Sequence, residues 1–270
     1  MAKVPPQTGM RRTVPAHELI ALAEKCARAA GQLLLERSVS GRDVQLKPGT
    51  TDVVTDADLA AEAAIRAAIR DHRPHDAVVG EEKGEQPGST SIRWVVDALD
   101  GTVNYIAGGS EWAVSIAVED MTEGFVAGVV HAPRVGRTYS ACRGAGAWCN
   151  GFRLPTLDSA GARLEECVVA TGFAADPARR VVQAAQLTRV LPHVRDVRCR
   201  GAASLELCAV AAGEAAAYYE SDLRLWDIAA GRLIASEAGA EITGDAPLGG
   251  HPLIAGPRPT RSALAELLSS

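Results

Sequence analysis

The chain has no surplus of basic residues: 28 Lys and Arg stand against 33 Asp and Glu, a formal net charge of −5 over 270 residues. A nucleic-acid backbone would meet no positive footprint, so nucleic acid is not an expected partner. No apolar run approaches the roughly 20 residues that span a bilayer, so no membrane role is expected either. Arg11 and Arg12 lack an apolar stretch behind them, which argues against a secretory signal and for a cytoplasmic protein. The six cysteines (Cys26, Cys142, Cys149, Cys167, Cys199 and Cys208) include no Cys-x-x-Cys pair, and no histidine stands at zinc-ligand spacing. They read as small buried hydrophobes rather than disulfides or zinc ligands. Neither a His-x-x-x-His pair nor Gly-x-Ser-x-Gly occurs, which removes the usual marks of histidine-based or serine-based hydrolysis.

What is present is enough apolar content, 47%, for one large core or two fused layers. Residues 1–14 carry Pro5, Pro6 and Gly9 with little periodicity and read as a loose arm. Apolar residues at helical spacing predict a long helix from Ala16 to about Arg37 and a second from about Ala57 to His72, capped by Thr55 or Asp56. Strand patterns follow at Ala77–Gly80, Ile92–Asp97, Trp112–Glu119, Phe125–His131 and Thr138–Ala141. Beyond a break near 152–162, strands and helices alternate. Strands are expected at Glu166–Thr171, Asp196–Arg200, Ala216–Glu220, Ala240–Thr243 and Leu253–Ala255. Helices are expected at Pro177–Leu191, Ala203–Ala212, Asp227–Ala238 and Arg261–Leu268. The division is an arm (1–14), an α+β half (15–155) and an α/β half (156–270) forming one integrated unit.

The most informative segment is Trp94-Val-Val-Asp-Ala-Leu-Asp-Gly-Thr-Val-Asn104. Asp97 and Asp100 end an apolar run that reads as a buried strand, and Gly101-Thr102 follow at once. Such carboxylates can hold a hard cation, and amides of the turn can hold a phosphate. Gly80-Glu81-Glu82 lies upstream and Trp226-Asp227-Ile228-Ala229-Ala230-Gly231 far downstream. If Glu81, Asp97, Asp100 and Asp227 converge, their repulsion costs several kcal/mol without a cation. Each motif also has a plain structural reading when taken alone. Asp227 is then a helix N-cap, Glu81-Glu82 a solvated acidic turn, and Glu220 a strand-end surface carboxylate.

Taken together and in order, the three motifs resemble the inositol monophosphatase family of magnesium-dependent, lithium-sensitive phosphatases. The likeness extends from about residue 16 to 268, with weaker stretches at Lys47-Pro-Gly-Thr-Thr-Asp-Val-Val-Thr-Asp-Ala-Asp58 and Arg200-Gly-Ala-Ala-Ser. It implies an α/β (α+β) fold, a five-layer α/β/α/β/α sandwich, and a homodimer. It implies two to three Mg²⁺ ions, with Mn²⁺ as a substitute. Glu81, Asp97 and the Leu99 carbonyl would hold one ion, Asp97, Asp100 and Asp227 a second, and a weaker third would lie near Glu81. Glu81 and Thr102 would position the attacking water with Asp58 in support, and no covalent enzyme intermediate is expected. The Gly101 and Thr102 amides would bind phosphate, and Asp100, Gly201, Ala203 and Glu220 the rest of the substrate.

Two departures from the family pattern stand out: Ala98 where proline is usual, and Ala202 where Ser or Thr is common. The first loosens a turn without removing a ligand; the second bears on substrate identity. The implied activity is a phosphoric monoester hydrolase acting on inositol 1-phosphate. Alternatives within the class are histidinol phosphate, a nucleotide or a biosynthetic sugar phosphate. Outside it stands a regulatory binding protein on the same fold, as some bacterial relatives are.

Overall fold

The first helix follows directly from its sequence. In α1 (Ala16–Arg37), Leu19, Ala23, Cys26, Ala30 and Leu34 recur every three to four residues and are all buried. In α2 (Asp56–His72), Thr55 Oγ1 accepts the amides of Ala57 at 3.2 Å and Asp58 at 3.3 Å, while the Asp58 carboxylate accepts the Thr55 amide at 2.8 Å. This reciprocal cap sets the start of the helix, and the chain leaves it at Arg73, ahead of Pro74. The computed structural model describes residues 15–38, 44–46, 53–158, 160, 162–244 and 252–269. The N-terminal arm and the Lys47–Asp52 part of the weaker motif lie outside them.

The strands are β1 (Val44–Leu46), β2 (Val53–Thr55), β3 (Ala77–Gly80), β4 (Gly84–Gln86), β5 (Ile92–Asp100), β6 (Ala113–Asp120), β7 (Gly124–Ala132), β8 (Arg137–Cys142), β9 (Gly146–Cys149) and β10 (Phe152–Arg153) in the first half. The second half supplies β11 (Val168–Thr171), β12 (Asp196–Arg198), β13 (Ala217–Glu220), β14 (Glu241–Thr243) and β15 (Leu253–Gly256). The remaining helices are α3 (Thr102–Ala107), α4 (Pro177–Val190), α5 (Ala203–Ala211), α6 (Leu225–Glu237) and α7 (Arg258–Ser269). β1 and β2 form a small hairpin sheet. β10-β9-β8-β7-β6-β5-β3-β4 form an eight-stranded sheet, and β12-β11-β13-β15-β14 a five-stranded one.

Alternation along the strands sorts the interior into separate cores. In β5 and β6, Trp94, Val96, Val114, Ile116 and Val118 pack under α1 and α2. Their neighbours Val95, Ala113 and Ala117 face the other way, toward α5 and α6. In the second sheet, Ala170 and Tyr218 join α5 and α6, whereas Val169, Ala217 and Tyr219 pack against Val190 of α4 and Leu264 and Leu268 of α7. The layers are therefore α1/α2, the large sheet, α5/α6, the small sheet, and α4/α7, which is the expected five-layer sandwich. The central helix layer is tight because its residues are small. A Cβ on Gly231 would sit 2.8 Å from Leu207 Cβ and 3.1 Å from the Ser204 carbonyl.

Several expectations need correction. β5 does not end at Asp97 but continues to Asp100, through a register shift against β6. The last two helices start earlier than periodicity suggests, at Leu225 and Arg258. The short strands β1, β2, β4, β9 and β10 carry too little pattern to be expected, whereas β3 falls where the pattern places it, at Ala77–Gly80. Of the six cysteines expected to be buried, Cys26, Cys167 and Cys208 are buried, Cys142 and Cys149 are half-buried and Cys199 is exposed. Among the described residues no helix is long and apolar enough to cross a membrane.

Candidate active site

Asp97 and Asp100 would point to opposite faces of a regular strand, because three residues is an odd interval. The register prevents this. Asp97 pairs with Ser115 and Asp100 with Ala113, so β5 spends three residues where β6 spends two. The extra residue is a bulge: Ala98 and Leu99 both turn into the α1/α2 core, and the two aspartates reach the same cavity. The cavity, about 1060 Å³, also receives Glu81 from the β3–β4 turn, Asp227 from α6 and Glu220 from the end of β13. All four candidate ligand carboxylates therefore line one cavity. Among the described residues, no three His, Cys, Asp or Glu side chains close into a ready-made metal cage. The aspartates form an electrostatic cluster instead.

The three aspartates are each held by hydrogen bonds. Asp97 Oδ1 accepts the Leu99 amide at 3.0 Å, and Asp100 Oδ2 accepts the Ser204 amide at 2.8 Å and hydroxyl at 2.5 Å. The Asp227 carboxylate accepts the Arg224 amide at 2.6 Å. Asp227 thus sits in the first turn of α6 rather than at the N-cap, its helix having begun at Leu225. Burial, and then the charge of Glu81 and the neighbouring aspartates, pushes Asp97 well above the carboxylate range. Burial does the same for Asp227, partly opposed by the Arg224 amide. Asp100 is pushed up to about 6, burial outweighing the Ser204 bonds. This is the electrostatics of a site that favours protons or cations over bare charge. With oxygen donors only, it suits a hard divalent ion.

The turn beyond β5 brings the remaining groups into place. Gly101 has φ +90°, and a Cβ there would lie 2.7 Å from the Glu111 carbonyl. Both conformation and space demand glycine. The Thr102 hydroxyl is 3.0 Å from the Leu99 carbonyl and 3.3 Å from Asp58 Oδ1. Asp58, itself buried and raised by that burial, connects this hydroxyl to the α2 cap. Gly201 and Ala203 line the cavity near Asp100. The Asn104 amide group fixes the approach by donating to the carbonyls of Glu111 at 2.7 Å and Arg200 at 2.6 Å.

Glu220 lines the same cavity, its Oε2 accepting from Tyr218 Oη at 2.7 Å. Burial raises it to about 8. A Cβ on Gly172 would come within 1.9 Å of Glu220 Oε2, so the missing side chain is the space Glu220 occupies. Gly172, the rim arginines Arg179, Arg180 and Arg224, and Ser204, which reaches the site through Asp100, have no motif of their own and escape sequence reasoning. Ser204, inside the Arg200-Gly-Ala-Ala-Ser stretch, and Asn104, the last residue of the segment that begins at Trp94, lie close to residues already singled out.

Residues 16–257 match the pattern of the family described as the inositol monophosphatase family. The inositol-1-monophosphatase of Mycobacterium leprae is 40% identical over 237 residues, 82% of this chain and 79% of that protein. The Escherichia coli K12 protein named Nus factor SuhB is 35% identical over 259 residues, 93% of this chain and 96% of its own. The crystal structure of the extragenic suppressor protein suhB of Bartonella henselae matches with a TM-score of 0.86 at 35% identity, covering 94% of this chain and 99% of that one. By sequence and by fold, the chain belongs to the inositol monophosphatase family.

Proposed function

We propose that this chain, a phosphomonoesterase by family, hydrolyses a small polyol phosphate, inositol 1-phosphate foremost, with Mg²⁺ and a water nucleophile. The observation that carries the reading is the arrival of Glu81, Asp97, Asp100 and Asp227, from three distant motifs, in one cavity. Glu81, Asp97 and the Leu99 carbonyl serve one ion, and Asp97, Asp100 and Asp227 a second. Bound there, Mg²⁺ supplies charge neutralisation at the phosphoryl oxygens and lowers the cost of making hydroxide from water. The chain does the rest. The Thr102 hydroxyl, donating to Leu99 or Asp58, keeps lone pairs with which to orient a water beside Glu81. The Gly101 and Thr102 amides face the phosphate. Arg179, Arg180 and Arg224 at the rim favour arrival of an anion.

Glu220 supports a hydroxylated substrate. A carboxyl raised to about 8 is largely protonated at neutral pH, so it can both donate to and accept from a ring hydroxyl. Asp100, Gly201 and Ala203 complete that pocket, and the family likeness carries a homodimer with it. The test is phosphate release from inositol 1-phosphate, histidinol phosphate, AMP and fructose 1,6-bisphosphate, with Mg²⁺ and with EDTA. Mg²⁺-dependent release led by inositol 1-phosphate is expected. Release led by another ester reassigns the Glu220 wall. No release from any ester favours a binding role, which the name of the Escherichia coli relative keeps in view.

A further inference from the structure

Below the turn that carries Glu81 lies a buried ion pair. Glu62 and Arg66, one turn apart on α2, are 0% and 7% exposed. Arg66 Nε donates to Glu62 Oε1 at 2.6 Å, while its Nη1 and Nη2 donate to the carbonyls of Val78 at 3.3 Å and Gly84 at 2.5 Å. Glu62 in turn accepts the Glu82 amide on Oε2 at 2.8 Å and the Lys83 amide on Oε1 at 3.2 Å. β3 and β4 pair from Val78↔Gln86 to Gly80↔Gly84, so residues 81–83 form the turn itself. The pair therefore grips that hairpin by two carbonyls on its strands and two amides within its turn.

The glycine of Gly80-Glu81-Glu82 belongs to the same device. A Cβ on Gly80 would lie 2.8 Å from Glu62 Cδ and 3.0 Å from Arg66 Nη2. Its role is to let the ion pair reach the turn. A buried ion pair is a poor source of stability, since desolvation cancels most of its attraction. What this one does provide is a hydrogen-bonded frame for a short turn that has little apolar anchorage: residues 83–86 are exposed.

We infer that Glu62 and Arg66 are positioning residues that hold the main chain of Glu81 so that its carboxylate meets Asp97 and Asp100 around the cation. The inference rests on the metal-dependent reading of the site. A carboxylate on a freely moving turn must be ordered each time an ion binds, and loosening the frame therefore weakens ion binding before it slows chemistry.

The test uses the full chain, with Mn²⁺ binding read by electron paramagnetic resonance and Mg²⁺ activation read by phosphate release. Glu62→Gln is expected to raise the Mn²⁺ dissociation constant and the half-saturating Mg²⁺ concentration about tenfold, with turnover at saturating Mg²⁺ within about threefold of the parent. Arg66→Lys, which keeps the charge but loses the carbonyl bonds, is expected to shift both by about threefold. Ile65→Val, buried next door in α2 but away from the turn, should lower thermal stability and leave Mn²⁺ affinity unchanged. A folded Glu62→Gln variant that binds Mn²⁺ like the parent overturns the inference, as does an equal shift in Ile65→Val. If Glu62→Gln does not fold, unchanged Mn²⁺ affinity in Arg66→Lys overturns it. Failure of the parent chain to bind Mn²⁺ defeats the metal reading itself, and this inference with it.

Discussion

Asp97 and Asp100 lie three residues apart on one strand and face the same cavity, because a bulge against Ser115 and Ala113 absorbs the residue that would have separated them. Ala98 and Leu99 fill the opposite core together, so the bulge is packed as well as paired. The parity of the Asp-x-x-Asp spacing is thus a tertiary device for placing two carboxylates side by side.

Replacing either outer member of the cluster separates chemistry from stability. Asp97→Asn keeps an acceptor for the Leu99 amide but removes a charge that burial and its neighbours penalise. Phosphate release should fall by several orders of magnitude. Without metal, the melting temperature should rise rather than fall, by the equivalent of about 1 kcal/mol. Asp227→Asn should behave alike, and near-normal turnover in either variant would end the two-ion assignment.

Mg²⁺ should stabilise the parent chain and do nothing for Asp97→Asn. A hundredfold excess over the dissociation constant is worth about 2.7 kcal/mol, visible in a thermal melt against an EDTA control. Millimolar lithium should inhibit phosphate release, as the family resemblance implies. Indifference to both ions would remove the metal from the mechanism.

Gly172→Ala should disturb substrate choice and spare the metal chemistry. The added methyl claims the space of Glu220 Oε2, and the carboxyl must swing away or the strand must shift. For inositol 1-phosphate, kcat/KM should drop about tenfold, equivalent to ~1.4 kcal/mol. For p-nitrophenyl phosphate, which has no ring hydroxyls for Glu220 to meet, it should change little. Equal losses on both esters would deny Glu220 its role.

His131 should make the fold acid-sensitive. Burial, reinforced by Arg28, lowers it from the ordinary 6.5 to about 4. Its Nδ1 lies 2.9 Å from Thr138 Oγ1. The unfolded chain therefore takes up a proton that the folded chain refuses, so this contribution is intact above about pH 6.5 and drains away as pH falls toward 4. Urea unfolding of His131→Gln should show a flatter stability profile between pH 7 and 5 than the parent. Parallel profiles would assign the acid sensitivity elsewhere.

Gly231→Ala should cost about 1–3 kcal/mol by overpacking α6 against α5, measurable as a lower urea midpoint. The same position illustrates a limit of motif reading. Trp-Asp-x-Ala-Ala-Gly looks like one catalytic signature, yet Asp227 faces the cavity while Ala229, Ala230 and Gly231 serve helix packing.

The long amphipathic helices and central strands were legible because their periodicity runs for many residues. Leu19 to Leu34 in α1 marks one face over and over, and β6 and β7 alternate between cores. Short elements such as β4 were not, since the turn that leads into it is held by hydrogen bonds to Glu62, on a helix 20 residues away in sequence. The motif carboxylates could be read as candidates from their order along the chain. Gly172, Ser204 and Arg66 could not, as each acquires its meaning only from a neighbour brought in by folding.

The sequence by itself therefore determined the layer-forming elements, the acidic inventory and the family. Local periodicity and short motifs are properties of adjacent residues, and need no third dimension to be recognised. Tertiary structure alone decided that Asp97 and Asp100 share a face, that Glu220 fills the space above Gly172, and that an ion pair on α2 grips the turn of Glu81. Those relations arise from register, close packing and burial, which exist only once distant segments are in contact.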